Sequence, residues 1–171
     1  PKWVFDPVLP ILLMLFAAAV AVWYITGPML VMFHSDFTDS LIWANVTAET
    51  GDILSPDFNY AAILPFGAPL WMVPILKIFG YGRISFQLSM IVFVVIFMAS
   101  AYYFFRGLKW NRLSAGAAAA CFCLVISGSD TLLEMLWGHT IYYSLGLLFW
   151  LLLMGLAQPI GNFVFQNLGM Q

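Results

Sequence analysis

The sequence predicts an all-α, polytopic membrane protein with about four spans and an external loop that carries juxtamembrane helices. Three observations carry that reading. The chain of 171 residues is 63% hydrophobic and only 8% charged, with a mean hydropathy of +0.95. A soluble domain carries about 25% charged residues, and no soluble fold of this size hides so much apolar surface. The apolar residues also fall into runs of span length, at about 8–33, 84–105, 113–129 and 140–157. Finally, the charges are sorted. Five of the eight acidic residues, Asp36, Asp39, Glu49, Asp52 and Asp57, lie within 34–60, which contains no Lys or Arg.

The first helix is expected to open at Asp6-Pro7, since Asp is a good N-cap and Pro is tolerated at the first helical position. Residues 8–25 are apolar or aromatic throughout and make a span. Gly27-Pro28 should kink or end it, with Met29 to Phe33 carrying the chain to the interface. In the polar stretch, Ser35 or Thr38 can cap a short helix reaching about Thr50, which Gly51-Asp52 and Ser55-Pro56-Asp57 then break. Asn45-Val46-Thr47 is a glycosylation sequon, a triplet common by chance.

Residues 61–79 are apolar but hold Pro65, Pro69 and Pro74, so that uninterrupted helix remains only from about Pro69 to Phe79. That is too short to span. The expectation is a juxtamembrane helix that returns the chain to the side it left, making 34–83 one external loop. The positive-inside rule supports the choice, because it puts Lys2, Arg106, Lys109 and Arg112 on the cytoplasmic side. It also gathers seven of the eight acidic residues on the opposite face. The span at 113–129 is rich in Ala, Gly and Ser, a composition that packs tightly against neighbouring helices. Cys121 and Cys123 lie two apart in that run, where they cannot form an ordinary bridge along one helix, and read as small packing residues.

Chemistry is expected at the acidic face. Asp36 and Asp39 are three apart and Asp130 and Glu134 four apart, so each pair shares a face if helical. Carboxylate oxygens suit Mg, Mn or Ca, not zinc. A cation held by Asp36, Asp130 and Glu134 would neutralise a phosphate leaving group, and a carboxylate left off the metal, Asp36 or Asp39, would accept a proton from an attacking hydroxyl. Each of these acids also has a bland reading, as a solvated boundary charge or a helix cap. His34 and His139 each sit at a span end, as interfacial side chains or substrate contacts. Lys77 and Arg83 either snorkel or meet a lipid phosphate. There is no basic stripe for nucleic acid, no Ser-His-Asp triad, no Gly-rich phosphate loop and no Cys/His zinc spacing.

The order of these features resembles the N-terminal part of the GT-C glycosyltransferases, the multi-spanning enzymes that use polyprenyl-phosphate-linked sugars. The residues that carry the likeness are His34-Ser35-Asp36 after the first span, GDILSPDFNYAAILPFGAPLW over 51–71, and SGSDTLLE over 127–134. Together they extend over about 8–157. The sequence departs from the family pattern at Phe37, where many members carry a second acid, and at Ala61 to Leu64, where many carry a basic residue. The resemblance implies transfer of a sugar from a polyprenyl-phosphate donor to an acceptor on the external face of a bacterial plasma membrane. It implies Asp36 as catalytic base or metal ligand and a divalent cation as cofactor. The chain opens at Pro1 and stops at Gln171, so a longer protein or further subunits are expected to complete it. A non-enzymatic membrane subunit or a transporter fragment is the alternative reading. A transporter should place charges at mid-membrane, and these spans carry none there.

Overall fold

The structure is a computed structural model that describes residues 2–28, 35–56, 68–127, 152 and 155, with side chains described outside 2–7, 35–40, 68–71 and 126–127. Among the described residues every regular element is an α-helix: α1 (Lys2–Thr26), α2 (Ser35–Thr50), α3 (Ala68–Phe79), α4 (Arg83–Gly107) and α5 (Arg112–Ser127). The expected fourth span at 140–157 lies outside the described residues except for Leu152 and Gly155, both helical. Two stretches, Val8–Thr26 and Arg83–Gly107, are long and apolar enough to cross a bilayer.

The first helix starts earlier than Asp6-Pro7 implies. It begins at Lys2, which puts Pro7 and Pro10 inside it. Each proline removes one N–H, leaving the carbonyls of Trp3 and Asp6 without their helical donor, a loss confined to the first three turns. The far end follows the sequence. The Gly27 N–H closes the last turn on the Trp23 carbonyl at 2.9 Å, and Thr26 Oγ1 donates to the Val22 carbonyl at 2.7 Å. Met29 to Phe33 lie outside the described residues.

The short helices end for a shared reason. Gly51 and Gly80 follow α2 and α3 with φ of 82° and 76°, the left-handed conformation that glycine adopts without a Cβ penalty. Their N–H groups close on Thr47 and Leu76 carbonyls at 3.0 and 2.8 Å. The α3 helix starts within one residue of its expected position and contains Pro74. At twelve residues it is about 18 Å long, well short of a bilayer's hydrocarbon core.

Helix α4 is the hub, packing on α1, α3 and α5. Its buried side includes Ser85, Phe86, Ser89, Met90, Phe93, Phe97, Ser100 and Ala101. The serines need no cross-helix partner: Ser89 Oγ donates to the Ser85 carbonyl and Ser100 Oγ to the Ile96 carbonyl, each at 2.7 Å. Helices α1 and α5 lie parallel, because Pro10 meets Gly116 and Ala17 meets Cys123 at the same seven-residue interval. Ala17, Ala21, Ala115, Ala119 and Ala120 are buried along this pair, so small side chains let the backbones approach. Cys123 is buried with its Sγ 3.7 Å from the Ala17 carbonyl, and Cys121 is exposed; neither is bridged.

The outer faces are apolar too. Phe16 is 62% exposed, Trp23 64%, Ile78 74% and Val125 73%, figures that a water-facing helix would give to polar side chains.

Candidate functional site

The helices place the acidic stretch at one end of the bundle. Gln87 Nε2, in the second turn of α4, donates to the Ile25 carbonyl at the end of α1 at 3.2 Å. The last turn of α1 and the first turns of α4 are thus neighbours, and everything between residues 27 and 82 leaves and rejoins the bundle at that end. Helix α2 packs on α3, and α3 on α4. Leu41 and Ala44 of α2, Met72 and Leu76 of α3, and Phe86 and Met90 of α4 belong to one buried cluster. Trp43 Nε1 donates to the Ile53 carbonyl at 3.1 Å, which folds the breaker segment back over α2.

Asp36 and Asp39 fall in the opening turns of α2, three residues apart on a continuous helix, so they share a face. Their side chains lie outside those described. His34, Asp130, Glu134 and His139 lie outside the described residues altogether. Convergence of Asp36 with Asp130 and Glu134 is therefore not part of the described geometry. Among the described residues no group of three or more His, Cys, Asp or Glu comes together.

Lys77 and Arg83 are both exposed and flank the corner at Gly80, Lys77 in the last turn of α3 and Arg83 as the first residue of α4. Lys77 complements the partial negative charge of its helix end, whereas Arg83 sits at a helix start, where a cation has no such support. The corner is pinned by Ser85 Oγ, which donates to the Gly80 carbonyl at 2.5 Å. Farther along the loop, Asn45 Nδ2 donates to Glu49 Oε1 at 2.7 Å, and Thr47 is buried with its Oγ1 unpartnered. The triplet Asn45-Val46-Thr47 lies within α2.

The opposite end of the bundle holds a site that the sequence reading passed over. Arg106 and Arg112 line two adjoining cavities of about 350 and 450 Å3. In the sequence, residues 106–112 mark only membrane sidedness. The signal in the sequence was a pair of arginines either side of a short turn, next to Tyr102-Tyr103.

No protein-family model, curated protein or solved structure matches the chain.

Proposed function

We propose that the chain is the N-terminal membrane module of a GT-C-like glycosyltransferase that moves a sugar from a polyprenyl-phosphate donor to an acceptor on the non-cytoplasmic face of a bacterial plasma membrane. In this reading α1, α4, α5 and the segment at 140–157 cross the bilayer, and 34–83 is external. One observation carries it: residues 27–82, with five of the eight acidic residues, join the bundle at a single end, and Arg106, Lys109 and Arg112 lie at the other. Apolar outer faces on α1, α4 and α5 support the membrane part.

The chemistry assigned to the acidic end is a displacement at the anomeric carbon. The acceptor hydroxyl oxygen forms the new glycosidic bond, its proton passes to whichever carboxylate of Asp36 and Asp39 stays off the metal, and the bond to the donor phosphate breaks. Asp39 is the second acid on the same helical face. Asp36, Asp130 and Glu134 form an all-carboxylate donor set of the kind that holds Mg or Mn, which when bound would neutralise the departing phosphate. His34, His139, Lys77 and Arg83 are assigned to the donor phosphate and sugar.

A transfer assay with polyprenyl-phosphate sugars and added Mg or Mn tests the assignment on the intact protein. Asp36→Asn, which keeps size but removes charge, should abolish transfer, and Asp57→Asn should leave it near normal. Near-normal turnover in Asp36→Asn contradicts the catalytic assignment. Absence of transfer by the unaltered protein with every donor favours a non-enzymatic membrane subunit.

A further inference from the structure

We propose that the arginine end of the bundle is a binding pocket for the phosphate of an anionic phospholipid, with Arg106 and Arg112 as its two cationic contacts. The proposal rests on the membrane part of the reading above and is independent of the sugar chemistry.

Arg106, in the last turn of α4, and Arg112, the first residue of α5, line both cavities together. Two exposed guanidinium groups lining one space raise the local positive potential, which favours an anion there. No Asp or Glu occurs between Asp57 and Asp130, so α4, α5 and the turn between them supply no carboxylate; the acid of α1, Asp6, falls in register with Arg112 at this end, its side chain outside those described. Arg106 donates one N–H to the Trp110 carbonyl at 2.5 Å. A guanidinium has five N–H donors in a planar fork, so the rest of the group remains for the paired oxygens of a phosphate.

The turn between the arginines is closed by three backbone bonds, Leu108 N–H to Phe104, Lys109 N–H to Arg106 and Trp110 N–H to Phe105, at 3.1, 3.0 and 3.1 Å. Asn111 caps the next helix, its Oδ1 accepting from the Ser114 N–H at 2.8 Å. The backbone positions of the two arginines are thus fixed by a folded turn, and the bond to the Trp110 carbonyl anchors the Arg106 side chain.

The lining favours a lipid over a free anion. The larger share of the first cavity's wall is not charged: Pro10 and Met14 come from α1, and Tyr102 and Tyr103 from α4. Free phosphate gains nothing from that wall, whereas the glycerol and upper acyl region of a phospholipid would cover it. Tyr103 and Trp110, exposed beside the arginines, are the residue types that sit at headgroup depth. Basic pockets between helices on the cytoplasmic side are where anionic headgroups bind.

Native mass spectrometry of the full chain, released from micelles doped with phosphatidylglycerol or phosphatidylcholine, tests this. The unaltered protein should retain phosphatidylglycerol preferentially. Arg106→Gln with Arg112→Gln should lower retention by roughly 20-fold, and Arg112→Gln alone, at an exposed position that leaves the turn intact, by roughly fivefold. Lys109→Gln removes a charge from the same turn at a residue that lines neither cavity and should leave retention unchanged. Equal retention of both lipids, or a loss in Lys109→Gln equal to that in Arg112→Gln, overturns the proposal. Displacement of phosphatidylglycerol by millimolar inorganic phosphate also overturns it, in favour of a bare phosphate site. Failure of the chain to float with neutral liposomes contradicts the membrane reading itself and takes the pocket with it.

Discussion

Gln87 donates its side-chain amide to the backbone carbonyl of Ile25 at 3.2 Å, across 62 residues of sequence. The bond satisfies a carbonyl in the last turn of α1, where helical donors run out, and fixes the start of α4 beside it. Replacing Gln87 with Leu keeps the bulk but leaves that carbonyl short of a partner. The expected loss is about 0.5–1.5 kcal/mol, seen as a lower midpoint in reversible detergent-mediated unfolding. An unchanged midpoint would mean that packing alone sets this end of the bundle.

Gly116 faces Pro10 so closely that a Cβ built there would lie 2.4 Å from the proline's Cβ. Both residues sit inside helices and cannot step aside without separating α1 from α5. Gly116→Ala should therefore destabilise by about 1–3 kcal/mol. Cys121→Ser, on the exposed side of the same helix, should stay within about 0.5 kcal/mol of the parent. Thermal unfolding of the two variants side by side checks the contrast. Similar behaviour would contradict the tight α1–α5 seam.

Lys109 has φ of 64°, the left-handed conformation, at the position after α4 where glycine is usual. The motif is completed by Trp110, whose ring lies 4.8 Å from that of Phe105. Lys109→Gly should stabilise by roughly 1 kcal/mol, because a Cβ is disfavoured in this conformation by about that much. Trp110→Ala should do the reverse. Unfolding midpoints read both, and a loss of stability in Lys109→Gly would show that the lysine side chain makes a contribution of its own.

Much of the helical frame was legible in the sequence because its stops are chemically explicit. Gly51 and Gly80 end α2 and α3, and the prolines at 65 and 69 confine α3 to a dozen residues. The start of α1 was misplaced because Asp6-Pro7 has the composition of a helix opening, yet the helix continues back to Lys2. Lys109 gave no warning of its backbone, since the glycine of that turn, Gly107, lies two residues earlier and is buried in α4. The arginine pocket was invisible for a different reason. Its wall comes from Pro10 and Met14, nearly a hundred residues away, and only the parallel packing of α1 on α5 brings them there. Of the residues assigned to the acidic site, Lys77 and Arg83 have described side chains, and both are exposed at one corner. Gly155 adds a feature no periodicity would reveal: it is buried against α4, where a Cβ would come within 2.9 Å of the Tyr103 carbonyl carbon.

On the proposed topology, residues 27–82 leave and rejoin the bundle on one side of a membrane, with the arginine turn on the other. Single cysteines at Leu54, Tyr81 and Lys109, all exposed, in a background without Cys121 and Cys123, test it with a membrane-impermeant maleimide on intact cells. The expected result is labelling at 54 and 81 from outside and at 109 only after the membrane is opened. Labelling of 54 and 81 from opposite sides would contradict the account, because α3 would then have crossed.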